Sequence, residues 1–361
     1  MLAIGLMSGT SLDGIDAALI ETDGQALVRP VAFRGEPYSD AARTELAEAT
    51  RSALTFDQPG ASPAIVAASD LITRTHVTAV RALLVEAGVG AGDVGAIGFH
   101  GQTIAHRPDR GWTWQIGDGA AMAAATGITT VSDFRSADVA AGGQGAPLLP
   151  VYHAALAGGL DRPVAVLNLG GVANITFIGD DGALVAFDTG PANGLIDHWV
   201  AAATGARFDT AGALAAAGRI DQAVLTAMLD HPWFDAAPPK SLDRNDFIIQ
   251  PARGLSAADG AATLTAFTAA TVAIALGHLP ARPRRLIVAG GGRHNPTMLA
   301  MIAARTGLIP EPSDSHGWNG DSMEAEGFAY MAVRTLRDLP ISFPGTTGVP
   351  VALTGGVIHR I

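Results

Sequence analysis

The chain contains 361 residues, of which 48% are hydrophobic and 16% are charged. This composition excludes a disordered chain and supplies enough apolar surface for two domains of roughly 150 to 200 residues each. The formal net charge of -11 disfavours binding to a nucleic-acid backbone. Cysteine is absent, which excludes disulfide bonds and cysteine-based metal or nucleophilic sites and suits the cytoplasm.

The first elements of the chain predict a hairpin. The segment "LAIGLMSGTSLDGIDAALIETDGQ", from Leu2, has the pattern of two strands joined by a polar Gly-rich turn and followed by an Asp-Gly turn at Asp23 and Gly24. Its start lacks the basic residues and the unbroken apolar run of a signal peptide, so we expect no export by that route. The segment "DAARTELAEATRSAL" then predicts a helix, and "VGAIGFHG", residues 94–101, predicts a strand.

A second hairpin of the same kind begins at Val164. The segment "VAVLNLGGVANITFIGDDGALVAF" again predicts a strand, a small-residue turn and a strand, and it reaches an Asp-Gly turn at Asp181 and Gly182. A helical segment, "NGLIDHWVAAATG", and a strand that ends in glycines, "RRLIVAGGG", follow. Unless the two hairpins are alike by chance, the chain has two similar α/β halves, residues 1–160 and 161–361, with parallel strands that bind ligands at their carboxyl ends.

The longest uncharged run, residues 260–281, is rich in Ala and Thr. It is too weakly apolar to predict a membrane span. Its larger apolar side chains, Leu264, Phe267 and Ile274, recur at helical spacing on one side. We therefore predict a helix that is buried along one stripe in the core of the second half.

The turn of the first hairpin has the residue types of a phosphate-binding loop. Gly9 and Gly14 allow the backbone to approach a ligand closely, and Thr10 and Ser11 supply hydroxyl donors. Such a turn can surround a phosphate with its N–H groups, but a purely structural turn has the same composition. It is not a Walker A loop, because that motif needs a lysine and none is present here.

Two further features bear on this turn. Asp13 and Asp16 either order the water shell of a Mg²⁺ ion or stabilise the turn itself, and turn chemistry is slightly favoured for Asp16. The turn of the second hairpin, "NLGGVAN", repeats the small-residue pattern with Gly170, Gly171 and Asn174. Two such turns facing each other would clamp a polyphosphate, which favours the phosphate hypothesis over a structural role.

The segment "AFDTGPANGLID" offers a candidate base. Asp188 is predicted to end a strand, and Pro191 to begin the helix that follows, because its fixed φ suits a first helical turn. A carboxylate in this position could act as a general base in a cleft. The alternative is that Asp188 caps the helix N-terminus, and the residues alone leave both roles open.

Other polar and glycine-rich segments are compatible with ligand binding. In "LIVAGGGRHNPTML", the glycines 290–292 would leave a flat surface for a base or ribose, and a helix is predicted to start at Asn295 and Pro296. Polar side chains that lie in apolar surroundings could bind a sugar; these are His100, Gln102, Asp118, Asp133, Arg135 and Gln144. His100 and His106 are weaker candidates, because a solitary histidine is more often a core residue. No spacing of His, Asp and Glu indicates a zinc site.

Taken together, these motifs resemble the 1,6-anhydro-N-acetylmuramic acid kinases. The shared segments are "GLMSGTSLDGID", "FHGQTI", "WQIGD", "DFRSADVAAGGQGAPLLP", "LNLGGVANIT", "FDTGPAN", "GGGRHNPTM" and "MEAEGFAYMA". They run from residue 4 to about 335, and "PGTTGVPVALTGG" is similar to the family's tail. The resemblance implies two ribonuclease H-like α/β domains of the actin, Hsp70 and sugar-kinase type, with ATP in a cleft between them.

The resemblance also implies an activity and a set of site residues. The family uses ATP to phosphorylate O6 of anhydro-N-acetylmuramic acid while water opens its 1,6-anhydro bridge, in the recycling of cell-wall sugars. Asp188 matches the family's base, and Gln102, Asp133, Arg135 and Glu324 are candidate sugar contacts. The implied contacts to ATP and its Mg²⁺ are Gly9, Thr10, Ser11, Asp13, Gly14, Gly170, Gly171, Asn174, Gly190, Asn193, Gly290, Gly291, Gly292 and Asn295. A homodimer is expected from the family alone.

Two departures from the family pattern leave the reactive groups in place. Ala192 stands where the family usually has a second glycine, so we expect a negative φ there, and Gly327 stands where Ala is more frequent. Two other functions remain as alternatives. One is a non-enzymatic ATP-dependent binding protein on the same fold, and the other is a kinase for a different sugar, which would need no base to activate water.

Overall fold

A computed structural model describes residues 1–242 and 247–361. The chain divides into two compact units, one formed by Met1–Gly158 with Asp321–Ile361 and the other by Gly159–Gly320. Each unit has its own sheet with helices packed on it. This division differs from the predicted domains, 1–160 and 161–361, because the chain returns to the first unit at Asp321.

The first unit is built around a mixed sheet. Its strands are β1 Leu2–Ser8, β2 Gly14–Thr22, β3 Val28–Pro37, β4 Val94–Arg107, β5 Trp112–Ile116, β6 Thr130–Ser132 and, after the second unit, β12 Val357–His359. The strand order is β12-β6-β4-β1-β2-β3, and β5 pairs with β4. Strands β1, β4 and β6 are parallel, whereas β2 is antiparallel to both β1 and β3.

Helices cover this sheet. They are α1 Asp40–Ala53, α2 Pro63–Ala87, α3 Gly119–Thr126, α4 Ser136–Ala140, α5 Pro150–Leu156, α11 Met323–Leu336 and α12 Pro344–Thr347. The predicted helix near residue 40 is α1, which Ser39 caps by accepting a hydrogen bond from the amide of Ala42. Side chains of β1 such as Ile4 and Leu6 belong to the core that α1 and α2 share with the sheet.

The return of the chain to the first unit depends on two glycines. Gly5 in β1 and Gly98 in β4 lie opposite each other in the parallel register. A Cβ atom on Gly5 would overlap the carbonyl oxygen of Ala325, and one on Gly98 would overlap that of Phe328. The backbone of α11 therefore lies directly on β1 and β4, where any larger residue would push it away. Composition alone could not reveal this packing, because the residues that meet are more than 200 positions apart.

The second unit repeats the arrangement. Its strands are β7 Val164–Leu169, β8 Val172–Ile178, β9 Leu184–Pro191, β10 Arg285–Ala289 and β11 Pro310–Pro312. Its helices are α6 Asn193–Thr204, α7 Ala213–Ala217, α8 Gln222–Leu229, α9 Ala257–Gly277 and α10 Pro296–Thr306. The strand order is β11-β10-β7-β8-β9, with β7, β8 and β9 antiparallel and β7, β10 and β11 parallel.

The predicted internal repeat is confirmed at the level of topology. The order β6-β4-β1-β2-β3 in the first unit matches β11-β10-β7-β8-β9 in the second, with the same strand directions. Both Asp-Gly turns have the expected geometry. Gly24 and Gly182 have φ values of 71° and 83°, and the carboxylates of Asp23 and Asp181 accept hydrogen bonds from the backbone amides that follow.

The predicted helix in the uncharged run is α9, but its burial differs from the prediction. Almost every residue from 260 to 272 is buried, so the helix is enclosed on all sides rather than along one stripe. The reason is that α6, α7, α8, α10 and β9 all pack against it. Among the described residues this is the one helix long and apolar enough to span a membrane, and 78% of that stretch is buried inside the protein. The apolar composition of α9 is therefore explained by its position in the core of the second unit.

We predict that Gly98→Ala destabilises the protein by at least about 2 kcal/mol, because the added methyl group displaces α11 from the sheet. The urea midpoint of unfolding, followed by circular dichroism, measures this effect. Gly92→Ala is the matched control, since Gly92 is exposed and has open space around its Cβ position. Equal midpoints for the two variants would contradict the close packing of α11.

Candidate active site

The turn after β1 is held in one conformation by its own backbone and by β4. The amide of Leu12 donates to the carbonyl of Gly9 at 3.1 Å, and Leu12 has a φ of 58°, which is uncommon for a residue other than glycine. Thr10, Ser11 and Asp13 are exposed in this turn. The exposed hydroxyls and carboxylate are therefore free to meet a ligand that approaches the end of β1.

Gln102 of β4 holds this turn in place through hydrogen bonds of its side chain. Its side-chain oxygen accepts a hydrogen bond from the Ser8 hydroxyl at 2.5 Å, and its amide nitrogen donates to the carbonyl of Gly9 at 3.2 Å and to that of Thr103 at 3.3 Å. The residue is fully buried. The resemblance predicts Gln102 as a sugar contact, and in this structure its hydrogen-bonding groups hold the turn after β1 in place.

A pocket of about 290 Å³ opens beside the turn. Its walls carry four carboxylates, Asp13, Asp16, Glu36 and Glu324. Burial raises the pKa of Asp16 to about 6, and the negative charges of Glu324, Asp321 and Asp13 contribute to this rise. The pocket therefore has an excess of negative charge that a cation would stabilise.

Arg135 lies near this pocket in a fixed orientation. Its Nε and Nη2 atoms donate to Nε2 of His100 at 3.1 and 3.0 Å, and Nη1 donates to the carbonyl of Gly145 at 2.8 Å. Because the guanidinium donates to Nε2, that nitrogen carries no proton, so the imidazole is neutral and its Nδ1–H donates to the carbonyl of Gly101 at 2.9 Å. Burial and the Arg135 charge keep the pKa of His100 well below its usual value. The charge of Arg135 in turn opposes the burial that raises the pKa of Glu324.

The turn after β7 is tied to the start of α6. The carbonyl oxygens of Gly170 and Gly171 accept hydrogen bonds from the amides of Ala192, Asn193 and Gly194 at 3.0 to 3.1 Å. The side-chain amide of Asn193 also donates to the carbonyl of Leu169 at 2.7 Å. These bonds satisfy the amides of the first two residues of α6, Asn193 and Gly194, and fix the turn against the start of the helix.

Asp188 stands in a polar row that crosses the sheet of the second unit. Asn168 of β7 pairs with Asn174 of β8, which pairs with Asp188 of β9, so their side chains share one face. The register shifts directly after this pair, and the extra residue, Thr189, forms a bulge. Bulges of this kind re-aim neighbouring side chains next to active sites. Gly190 follows with a φ of 150°.

The carboxylate of Asp188 is oriented by a neighbouring segment. Its Oδ2 accepts a hydrogen bond from the amide of Leu242 at 2.8 Å, and its backbone amide donates to the carbonyl of Lys240 at 3.0 Å. Burial raises the pKa of Asp188 to about 7, although the hydrogen bond from Leu242 lowers it. A carboxylate with this pKa is able to take up a proton at neutral pH.

One prediction about the segment after Asp188 is wrong, and one of the two roles left open for Asp188 is excluded. Pro191 was predicted in the first turn of a helix, but it ends β9, and α6 begins at Asn193. The bulge allows the strand to continue past Asp188. Asp188 is also not the helix cap, because that position is held by Ala192, whose φ of -132° confirms the expected negative value.

The glycine loop after β10 packs on the end of β7. Gly290 has a φ of 73°, and a Cβ atom there would lie 2.8 Å from the carbonyl oxygen of Leu169, while one on Gly292 would lie 2.5 Å from the Leu169 side chain. Gly291 is exposed. Asn295 caps α10, as predicted, by accepting a hydrogen bond from the amide of Met298 at 2.9 Å. Its side-chain oxygen is thus used by the helix.

The structure brings five of the predicted site residues together in the first unit. Four of them, Gly9, Ser11, Asp13 and Glu324, line the same pocket of the first unit. Gly14 lines it as well, although a Cβ atom there would overlap the carbonyl of Glu36, so this glycine is also required by the pairing of β2 with β3. Asp133 has a φ of 52°, and its carboxylate accepts a hydrogen bond from the amide of Ser136 at 3.3 Å.

Sequence reasoning missed several residues of these sites. For Asp16 turn chemistry was slightly favoured over a role at Mg²⁺, although a carboxylate among the apolar residues of a strand is a signal of its own. Glu36 enters the pocket through the pairing of β3 with β2, and Leu242 reaches Asp188 over more than 50 positions. Neither contact has a local signal in the sequence.

Comparison with known proteins agrees with this geometry. A family model described as anhydro-N-acetylmuramic acid kinase matches residues 1–360. The anhydro-N-acetylmuramic acid kinase of Rhizorhabdus wittichii is 71% identical over 361 residues, covering 100% of this chain and 99% of that protein. The enzyme of the same description from Zymomonas mobilis subsp. mobilis is 55% identical over 365 residues, with 100% of both chains covered.

A solved structure supports the fold independently of close sequence similarity. The component A of (R)-2-hydroxyglutaryl-CoA dehydratase from Acidaminococcus fermentans matches with a TM-score of 0.50 at 12% identity, over 93% of this chain and 99% of that one. The mixed α/β architecture with a repeated sheet is that of the actin, Hsp70 and sugar-kinase type. With a full-length family match and relatives of this identity, the chain belongs to the anhydro-N-acetylmuramic acid kinase family.

Proposed function

We propose that Asp188 is the general base with which this kinase opens the anhydro bridge of its sugar. The family activity converts anhydro-N-acetylmuramic acid to N-acetylmuramic acid 6-phosphate at the expense of ATP. The conversion consumes one water molecule, whose oxygen must attach to C1 as the C1–O6 bond breaks. Oxygen O6 then forms its new bond to the γ-phosphorus of ATP, and ADP leaves.

The observation that carries this proposal is the environment of Asp188. The attacking water must lose a proton as it bonds to C1, and a carboxylate with a pKa of about 7 accepts that proton at neutral pH. The hydrogen bond from Leu242 keeps Oδ2 in a fixed position, which preserves the orientation that proton transfer requires. The polar row of Asn168 and Asn174 beside it supports a site for a polar substrate.

Both small-residue turns are proposed to bind the phosphates of ATP. In the first turn the groups are Gly9, Thr10, Ser11 and Gly14, with exposed hydroxyls on two of them. In the second unit they are Gly170, Gly171, Asn174, Gly190 and Asn193. The exposed Gly291, between Gly290 and Gly292, and the cap residue Asn295 are proposed to lie along the adenosine.

Mg²⁺ is proposed to bind with ATP at the acidic pocket of the first unit. Among residues 1–242 and 247–361, no group of three or more potential ligand side chains is arranged to hold a metal by itself. This fits Mg²⁺, which usually takes one or two carboxylates from the protein and its other ligands from phosphates and water. Asp13 and Asp16 fit that role, because the crowding of carboxylates that raises the pKa of Asp16 would be relieved by a cation. Bound Mg²⁺ would neutralise charge on the phosphates.

The amino sugar is proposed to meet Arg135 and Glu324, whose opposite charges interact in the first unit. Asp133 is a further candidate contact, and Gln102 acts through the turn that it supports. The enzyme is proposed to work in the cytoplasm, which suits a chain without cysteine. A homodimer is proposed on the family resemblance.

We predict that Asp188→Asn reduces sugar phosphorylation by roughly 10³-fold or more while ATP binding and folding are retained. The asparagine keeps the size of the side chain and can still accept the hydrogen bond from Leu242, but it cannot take a proton from water. Turnover is measured by the formation of the sugar phosphate, and ATP binding by calorimetry. Asp181→Asn, at an exposed turn of the same unit, serves as the control and should be fully active. Near-normal turnover of Asp188→Asn would place the base elsewhere.

We predict that kcat/KM falls about tenfold per pH unit below about pH 7, because only the ionised Asp188 is active.

Ionisation of Asp188, which activity requires, lowers the stability of the folded protein. Its pKa in the folded protein is raised from 3.8 to about 7, so its contribution to stability is fully present below pH 3.8 and is lost as the pH rises through 7. Asp188→Asn should therefore have a higher Tm than the wild type above pH 7 and an equal Tm near pH 4. A difference in Tm that does not vary with pH would contradict the raised pKa.

We predict that turnover in ¹⁸O-water places one ¹⁸O atom at C1 of the product sugar and none in its phosphate, because water attacks carbon and not phosphorus. Mass spectrometry of the product and its fragments locates the label. Unlabelled product incubated in ¹⁸O-water for the same time corrects for exchange at the anomeric centre. A kinase that acts on a free hydroxyl would leave the sugar unlabelled, and label in free phosphate alone would indicate ATP hydrolysis.

A further inference from the structure

The segment that orients Asp188 contains an unusual residue, Lys240. The chain carries 22 arginines and a single lysine, which stands at this position. Everywhere else the chain uses arginine as its long cationic side chain. A lysine differs from an arginine in presenting a compact ammonium group, so the contacts of this one group are of interest.

The ammonium of Lys240 is bound inside a short turn of the same unit. Its Nζ donates to the carbonyls of Trp233 and Phe234, each at 3.0 Å, and lies 4.5 Å from the centre of the Trp233 ring. Trp233 also donates from its indole nitrogen to the carbonyl of Ser241 at 3.2 Å. The side chain thus closes a loop between residues 233–234 and 240–241.

The closed loop is anchored to the core. The carbonyl of Phe234 also lies 2.9 Å from Nε2 of His278, the residue that follows α9 as its C-cap. The Phe234 ring is buried against Phe247 and Phe267, and Phe267 belongs to α9. Movement of the loop would therefore break contacts with the central helix of the unit.

The two backbone contacts of Asp188 lie at the end of this loop. The carbonyl of Lys240 accepts from the Asp188 amide, and the amide of Leu242, two residues later, donates to the Asp188 carboxylate. The position of that donor depends on where the chain is held at residue 240. Lys240 itself does not touch the carboxylate, and its charge does not contribute to the shift of the Asp188 pKa.

We propose that Lys240 is a positioning residue for the catalytic base: its ammonium closes the 233–242 loop and so places the Leu242 amide on the carboxylate of Asp188. The inference rests on the proposed role of Asp188. A guanidinium is planar and holds its donors in a rigid fork, whereas an ammonium is compact and rotates its donors freely toward two successive carbonyls. We therefore expect arginine to fit this position less well than lysine.

Within the described part of the chain, few neighbouring groups affect the pKa of Lys240 or that of Asp188. Asp235 faces Lys240 and partly offsets the burial that lowers its pKa. Asp188 faces the neutral Asn174 on the adjacent strand, and burial and the Leu242 amide dominate its titration. Loss of the Leu242 hydrogen bond should therefore act on the pKa of Asp188 directly, without a competing change in charge.

The first test is the pH profile of Lys240→Met, which keeps the apolar stem over Trp233 and removes the ammonium. Without the Leu242 hydrogen bond, the acid limb of kcat should move up by about one pH unit. Turnover should then fall about five- to tenfold below pH 7 and recover at alkaline pH, with the KM for ATP unchanged. A merely structural role would lower Tm and leave the acid limb in place, and that result would overturn the proposal.

A second test uses the absence of cysteine from the chain. In Lys240→Cys the new thiol is the single site for alkylation, and 2-bromoethylamine converts it to a thioether analogue of lysine with loss of bromide. This product should recover the wild-type pH profile, whereas carbamidomethylation with iodoacetamide should not. Lys240→Arg should remain shifted. Full recovery with the neutral adduct, or a wild-type profile for Lys240→Arg, would contradict the requirement for an ammonium group.

A third measurement separates this inference from the proposed function. The Tm difference between the wild type and Asp188→Asn, measured against pH with and without Lys240→Met, reports the pKa of Asp188 independently of catalysis. The difference levels off at the pKa of Asp188 in the folded protein, and we expect this upper end to rise by about one pH unit in the Lys240→Met background. If Asp188→Asn retains turnover, the proposed base is wrong, whatever the effect of Lys240→Met. If Asp188→Asn is inactive and the upper end does not move, the proposed role of Lys240 is wrong.

Discussion

The first strand of each sheet is antiparallel to its hairpin partner on one side and parallel to a later strand on the other. The hairpin turn therefore lies at the carboxyl end of a parallel strand, where other loops can support it. In the first unit Gln102 of β4 holds the turn through Gly9. In the second unit the glycine loop after β10 packs on Leu169 at the start of the turn. Both candidate phosphate turns depend on this mixed pairing.

Each unit contains a carboxylate whose pKa is raised, and the two rises have different causes. Asp188 is raised to about 7 by burial, against one hydrogen bond that lowers it, which suits a group that must exchange a proton. The pKa of Asp16 is raised to about 6 by burial and by the carboxylates around it, which suits a site that binds a cation. A hydrolytic kinase needs both functions, one to activate water and one to balance phosphate charge.

The C-terminal segment of the chain contributes to the acidic pocket of the first unit. Glu324 enters the acidic pocket because α11 lies directly on Gly5 and Gly98. The hydroxyl of Thr347, further along, donates to the buried Asp138, which also accepts the amide of Gly145 at 2.6 Å. Gly145 in turn holds Arg135 through its carbonyl. The C-terminal segment thus holds the loop around Gly145, and this loop orients Arg135 near the pocket.

The sequence by itself determined the hairpins, the repeat, the α/β class and the identity of Asp188 as a candidate base. These features have local signals, since alternation, Asp-Gly turns and small-residue loops act within a few positions. The tertiary structure decided what lies around each candidate: that Pro191 continues a strand past a bulge, that Gln102 supports a turn, and that α9 is enclosed on every side. It alone placed Glu36 and Leu242 beside the candidate residues, because burial and hydrogen bonds between residues far apart in the chain are set by packing and leave no periodic trace in the sequence.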